Sequence, residues 1–227
     1  MTHAFVELAI PVDDLLSARS ELLDLGFSEL QTTDAWTHPY TALRLGTFTL
    51  GLHRDFIDAP TLVLTRPELA HSIRTASESV EWTAMQLDDD LFNFARCDSP
   101  SGIGLLLVEA TTHASAMPSP IQELRAHSLS CATPTLTASA TFWAPFAQAT
   151  SELETEPQMQ ITFDIDGLAL QLVETATAEP LLSLRVLNEP AFVSRLAHRG
   201  LGLQDAHSDQ ELGRVTLRDG LALAFLS

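Results

Sequence analysis

Glu7 lies in VELAI (6–10), where Val6, Leu8 and Ile10 are apolar, so in a strand its carboxylate faces the opposite way from those three. A carboxylate aimed into an apolar cup is raised in pKa, and it can then take a proton or hold a ligand amine. His53 follows the alternation Phe48, Leu50, Leu52, which leaves Thr49, Gly51 and His53 on the other face and lets His53 pair with Glu7 across one cavity. These two are the catalytic candidates. Each has a plainer use, Glu7 as a half-exposed strand carboxylate and His53 as a surface residue opening HRDFIDAP (53–60). DAWTHPYTALR (34–44) adds Trp36, His38 and Tyr40, the only tyrosine, in and beside a loop. Aromatic side chains there can wall a pocket for a flat or apolar ligand.

The second half offers Gln171 as a hydrogen-bonding group. It also offers Arg185, set opposite Leu182, Leu184 and Val186, as a two-pronged partner for a carboxylate or phosphate. A salt bridge from Arg185 to Asp164 or Glu174 is the competing use. Phe142 and Trp143 read as core anchors of a helix, and Cys97 and Cys131 as small core hydrophobes without ligand spacing.

Composition removes several classes of function. There are 30 acids against 12 bases, every base is arginine, and the net charge is −18. Such a chain repels a phosphate backbone and an anionic membrane surface, so neither nucleic acid nor membrane is expected as a partner. Without lysine there is no Schiff base and no P-loop lysine. The longest apolar runs, such as IGLLLV (103–108), are strand-length. The start, MTHAFVELAIPVDD, lacks a basic segment followed by a long apolar block, so no secretory signal and a cytoplasmic location are expected.

The elements that must hold these residues come from a repeat. DGLAL occurs at 166–170 and again at 219–223, and SGIGLLLVEA (101–110) and LGTFTLGLHR (45–54) are related strand endings. Glycines at 46, 102, 167 and 220 precede a strand each time, as in the closing strand of a hairpin. Each unit opens with an apolar strand and an amphipathic helix. In the first, Leu15, Leu16, Ala18, Leu22, Leu23 and Leu25 make a stripe that Gly26 ends; in the last, Asn188 caps, Pro190 enters the first turn and Gly200 ends. Strand–helix–strand–strand–strand written four times predicts an α+β fold. TTHASAMPSP (111–120) divides it, giving units at 1–112 and 122–227 with a linker over 113–121.

This pattern resembles the vicinal oxygen chelate superfamily of glyoxalases, bleomycin-resistance proteins and extradiol dioxygenases. The likeness rests on VELAIPVDDL and LLDLGF within 6–27, on CDSPSGIGLLLVE (97–109) and on the two DGLAL strings. It implies four βαβββ modules paired into two half-barrel, glyoxalase-like domains, each around a cavity. In metal-dependent members, a His or Glu early in the opening strand and a Glu about four residues past the closing glycine hold the ion. Here the closing positions are Leu50, Leu106, Gln171 and Ala224. The opening positions fall near Phe5, Thr61, His127 and Leu181. His127 and Gln171 are the only metal-ligand candidates at those places, and His127 shares the parity of helix-facing Leu129 and Cys131. The expectation is a metal-free protein that binds a small organic molecule in a barrel cavity, with no cofactor. The alternative is a lyase, isomerase or ring-cleaving dioxygenase using one divalent metal ion or acid–base chemistry. A homodimer is compatible with either.

Overall fold

A computed structural model describes residues 4–30, 36, 38–45, 48–88, 93–109, 124–155, 158–165, 167–175, 180–206, 208, 210–217 and 221–227. The predicted linker at 113–121 lies outside the described residues. Two sheets result. The first contains β1 (Ala4–Pro11), β2 (Ser28–Glu29), β3 (Tyr40–Leu45), β4 (Phe48–His53), β5 (Thr61–Arg66), β6 (Ala84–Gln86), β7 (Phe94–Asp98) and β8 (Gly104–Glu109), in the order β2-β3-β4-β1-β5-β8-β7-β6. The second contains β9 (Leu124–Thr133), β10 (Ala149–Thr155), β11 (Gln158–Ile165), β12 (Leu168–Glu174), β13 (Leu181–Val186), β14 (Glu211–Thr216) and β15 (Ala222–Leu226), in the order β10-β11-β12-β9-β13-β15-β14. The fold is α+β.

The duplication is visible in the pairing. Each opening strand lies parallel to its own closing strand: β1 to β4, β5 to β8, β9 to β12 and β13 to β15. The two opening strands of each sheet meet antiparallel at its centre, β1 on β5 and β9 on β13. The fourth module departs from the predicted plan. Among the described residues between its helix and β14, the expected strand is reduced to one bridge, Gln204 to Arg214.

The helices are α1 (Leu15–Leu25), α2 (Leu69–Ala76), α3 (Leu136–Trp143) and α4 (Glu189–Arg199). Asp14 caps α1 by accepting from the amides of Leu16 and Ser17, and Gly26 at φ 103° closes it. Asn188 and Gly200 do the same for α4, as their residue types predict. Leu16, placed in the apolar stripe from sequence, is instead 76% exposed, because α1 buries Ala18, Leu22 and Leu25. One apolar core joins both sheets through these helices, taking in Leu8, Leu50 and Leu105 from the first half and Trp143, Phe163 and Phe225 from the second. Cys97 and Cys131 are buried free thiols in it, and burial pushes the Cys97 thiol up to about 12. Across the halves, Trp143 Nε1 donates to Ser101 Oγ and Arg195 donates to the Leu25 carbonyl. Among the described residues, no helix is long and apolar enough to cross a membrane.

Each sheet therefore keeps one face on the helices and turns the other away. On the first sheet, Leu8, Ile10, Leu62 and Leu64 face the helices, while Ala9, Val63, Leu106 and Val108 belong to a separate cluster on the helix-free face.

Candidate functional site

Glu7 and His53 stand on that helix-free face, and they are the most buried polar pair there, with exposures of 1% and 0%. β1 and β4 run parallel in a register that sets Ala9 beside Gly51 and Pro11 beside His53. Alternation then aims Glu7, Gly51 and His53 the same way. Gly51 has a steric reason: a Cβ there would stand 2.6 Å from Glu7 Cδ, so the glycine leaves the room that the carboxylate uses.

Four side chains are joined in a line. Tyr40 donates its hydroxyl to Glu7 Oε2 at 2.5 Å, Glu7 Oε1 is 2.8 Å from His53 Nε2, and His53 Nδ1 is 2.7 Å from His38 Nε2. Because β3 pairs antiparallel with β4, Tyr40 lies directly across from His53, which puts the phenol beside the same carboxylate. A carboxylate at Glu7 can only accept, so His53 Nε2–H donates to it and His53 Nδ1 accepts from His38 Nε2–H. That tautomer pair satisfies every contact and leaves His38 Nδ1 as an open acceptor. His38 is half-buried. Its burial and the neighbouring His53 ring hold its pKa down to about 4, against an opposing pull from Glu7. The imidazole is thus neutral near pH 7. Burial, and then the Glu7 charge, raise the Tyr40 phenol well above its ordinary value, so it remains a donor.

The aromatic wall predicted from 34–44 forms around this line. Trp36 meets His53 edge-on at 4.9 Å and packs near Tyr40 and His38. Phe56, which sequence reasoning passed over as part of a polar stretch, stacks on His38 at 4.2 Å and 8°. Trp36 and Ile57 also pack on Ala9, Val63, Leu106 and Val108. Around this packed cluster His38, Tyr40 and Phe56 remain partly exposed and form the accessible rim of the site.

Gln171, Arg185 and His127 lie on the second sheet, away from this line. Gln171 Oε1 accepts from Ser130 Oγ at 2.7 Å on the helix-free face. Arg185 is exposed; it does not pair with Asp164, whose Oδ1 accepts from the Gly167 amide, nor with Glu174, which is in register with Thr133. It is in register with Arg125. His127 is exposed at a β-bulge: Ser183 pairs with Ser128 and Leu184 with Ala126, leaving His127 as the extra residue. Leu124 and Leu129, five positions apart, consequently both reach the helix-side core. That breaks the parity from which the direction of His127 was read. The third module also replaces the line of the first. With Ser130 beside Gln171 matching Ala9 beside Gly51, the places of Glu7, Tyr40 and His53 fall to Ser128, Gln160 and Val173.

Among the described residues, the Glu7, His53 and His38 side chains are not set around one point, as the divalent ion of metal-dependent members would require. A tight site needs at least three donors around one point. Glu7, His53 and His38 lie in series instead, and both His53 nitrogens are engaged by the other two. Among the described residues, no group of three or more His, Cys, Asp or Glu side chains is arranged to hold a metal.

No family model and no curated protein matches the chain. Solved structures do. A variant of 4-hydroxymandelate synthase from Streptomyces coelicolor superimposes with a TM-score of 0.62 at 15% identity, over 97% of this chain and 91% of that one. A catechol 2,3-dioxygenase gives 0.64 at 12% identity over 98% and 87%. A variant of homoprotocatechuate 2,3-dioxygenase from B. fuscum gives 0.72 at 11% identity over 98% and 70%. These identities establish architecture and nothing finer. Taken with the paired modules, they show that the chain has the fold of the vicinal oxygen chelate superfamily.

Proposed function

We propose that the chain binds a small, flat organic molecule carrying an O–H or N–H donor at the rim of the first sheet, with His38 Nδ1 accepting from that donor. The observation that carries this reading is the chain Tyr40–Glu7–His53–His38, which runs from a buried carboxylate to a half-buried neutral imidazole. A buried, fully satisfied polar line fixes the tautomer of its last member and polarises it as an acceptor. Phe56 and Trp36 supply the faces against which a flat ring stacks. A phenol or catechol suits such a rim, and the fold neighbours named for catechol and homoprotocatechuate favour the same ligand class.

The same line also supports a proton-transfer enzyme, in which His38 takes the ligand's proton and Glu7, through His53, balances the charge. Magnitude decides between the two. General-base catalysis works best with a pKa near the working pH, and His38 at about 4 is far below neutrality. Hydrogen-bond acceptance needs only the neutral ring, so binding is the primary function in this account. The test is titration of the protein with catechol and with veratrole, its dimethyl ether, followed by calorimetry and by the His38 ring signals. Catechol should bind and shift His38 while veratrole does not. Equal binding of both, or of neither, overturns the reading.

A further inference from the structure

The helix-free face of the second sheet is built from different material. Leu182, Leu184, Leu223 and Phe225 belong to the helix-side core, so Ser183 and Arg185 on β13 and Ala224 on β15 look the other way. In-register partners share a face, which adds Ser128 opposite Ser183 and Arg125 opposite Arg185. Where the first face carries Trp36, Ile57, Val63 and Leu106, this one has a buried floor of Ser128, Ser183 and Ala224. Beside that floor, Arg125, His127 and Arg185 are all exposed.

Like charges directly opposite on an antiparallel pair are destabilising. Arg125 and Arg185 are nonetheless set opposite each other, and both bear on His127, whose pKa is lowered by burial first and then by the two arginines. The chain has 30 acids to neutralise 12 arginines. Arg19, Arg54, Arg96, Arg199 and Arg214 each meet a carboxylate. Among the described residues, Arg74, Arg125 and Arg185 meet none, and of these Arg125 and Arg185 are set opposite each other, which doubles the positive charge at one place on a strongly acidic molecule. Farther along the face, Gln171 uses Oε1 to accept from Ser130, which leaves its Nε2 hydrogens free to donate outward.

We infer that this face is a binding site for a small organic carboxylate, held by the paired guanidiniums of Arg125 and Arg185. A carboxylate offers two coplanar acceptors for guanidinium forks and removes the repulsion between them. The site is separate from the first-sheet rim and does not depend on the function proposed for it.

The experiment titrates the full chain with benzoate, with its neutral isostere benzamide and with inorganic phosphate, by calorimetry at low salt. Benzoate should bind, benzamide should not, and phosphate should bind more weakly than benzoate. Arg125→Gln and Arg185→Gln, both at exposed positions, should each weaken benzoate by about tenfold or more. Arg74→Gln on α2 should leave it unchanged. Binding of benzamide as tight as that of benzoate, phosphate binding at least as tight as benzoate, or benzoate affinity unaltered in the double variant overturns the inference.

Discussion

The Glu7 carboxylate fills the space above Gly51 that any side chain at that position would need, with the carboxyl carbon 2.6 Å from where a Cβ would stand. Glycine ordinarily weakens a strand interior, so its presence in β4 needs a reason, and this clash supplies one. Gly51→Ala is therefore expected to destabilise the protein by about 1–3 kcal/mol, as overpacking does, although alanine is the better strand residue. It should also displace Glu7 and abolish catechol binding. Urea unfolding midpoints and calorimetry check both parts.

Tyr40 and Glu7 should be energetically coupled. Removing the phenol hydroxyl leaves Glu7 Oε2 without its donor, and neutralising Glu7 weakens both bonds that it accepts. Tyr40→Phe and Glu7→Gln are each expected to cost about 1–3 kcal/mol, while the double variant costs less than their sum by about 1–2 kcal/mol. A double-mutant cycle in urea measures this coupling, and additive costs would mean the two side chains act independently.

Acid should weaken the fold partly through His38. Its folded pKa of about 4 lies below the ordinary 6.5, so the unfolded chain takes up a proton first as the pH falls. The stability gained by keeping the ring neutral is complete above about 6.5 and is lost between there and about 4. His127 is shifted the same way, so the useful comparison is between variants. Melting temperatures recorded from pH 8 to pH 5 should fall less steeply for His38→Gln than for the parent protein.

The pairing of Glu7 with His53 could be read from the chain alone because β4, and β1 from Glu7 onward, follow strict alternation past the irregularity between Phe5 and Glu7. Phe48, Leu50 and Leu52 on one side leave His53 on the other, and the repeat supplies the partner strand. The caps at Gly26, Asn188 and Gly200 were legible for a related reason: capping is local chemistry. Features that depend on tertiary register were hidden. The β-bulge at His127 inserts one residue and reverses every parity argument upstream of it, which is why Arg125 drew no notice in LRAHSLSCA (124–132). Phe56 lies among Arg54, Asp55 and Asp58, so composition concealed an aromatic that folds back onto His38. Trp36 was legible as a wall, but only the fold reveals that it packs on Val63 and Leu106.

The halves are tied together at the end of α1. Gly26 adopts φ 103°, and a Cβ there would stand 2.7 Å from the Arg195 guanidinium carbon. That guanidinium donates to the Leu25 carbonyl, while Arg199 pairs with Asp24 at 3.0 Å. Gly26→Ala meets both backbone strain and displacement of Arg195, for an expected loss of about 1–3 kcal/mol. In a chain of this size that lowers the melting temperature by roughly 3–9 °C, readable by differential scanning calorimetry.

Nitrogen-15 and proton NMR of the histidine rings measures the Tyr40–Glu7–His53–His38 line most directly. The account predicts His53 as the Nε2–H tautomer with a slowly exchanging, far-downfield ring proton that moves upfield in Glu7→Gln. It further predicts a His38 that stays neutral, with its proton on Nε2, down to pH values well under 6. A His53 ring that exchanges freely between tautomers, or a His38 ring that titrates near its ordinary 6.5, would contradict it.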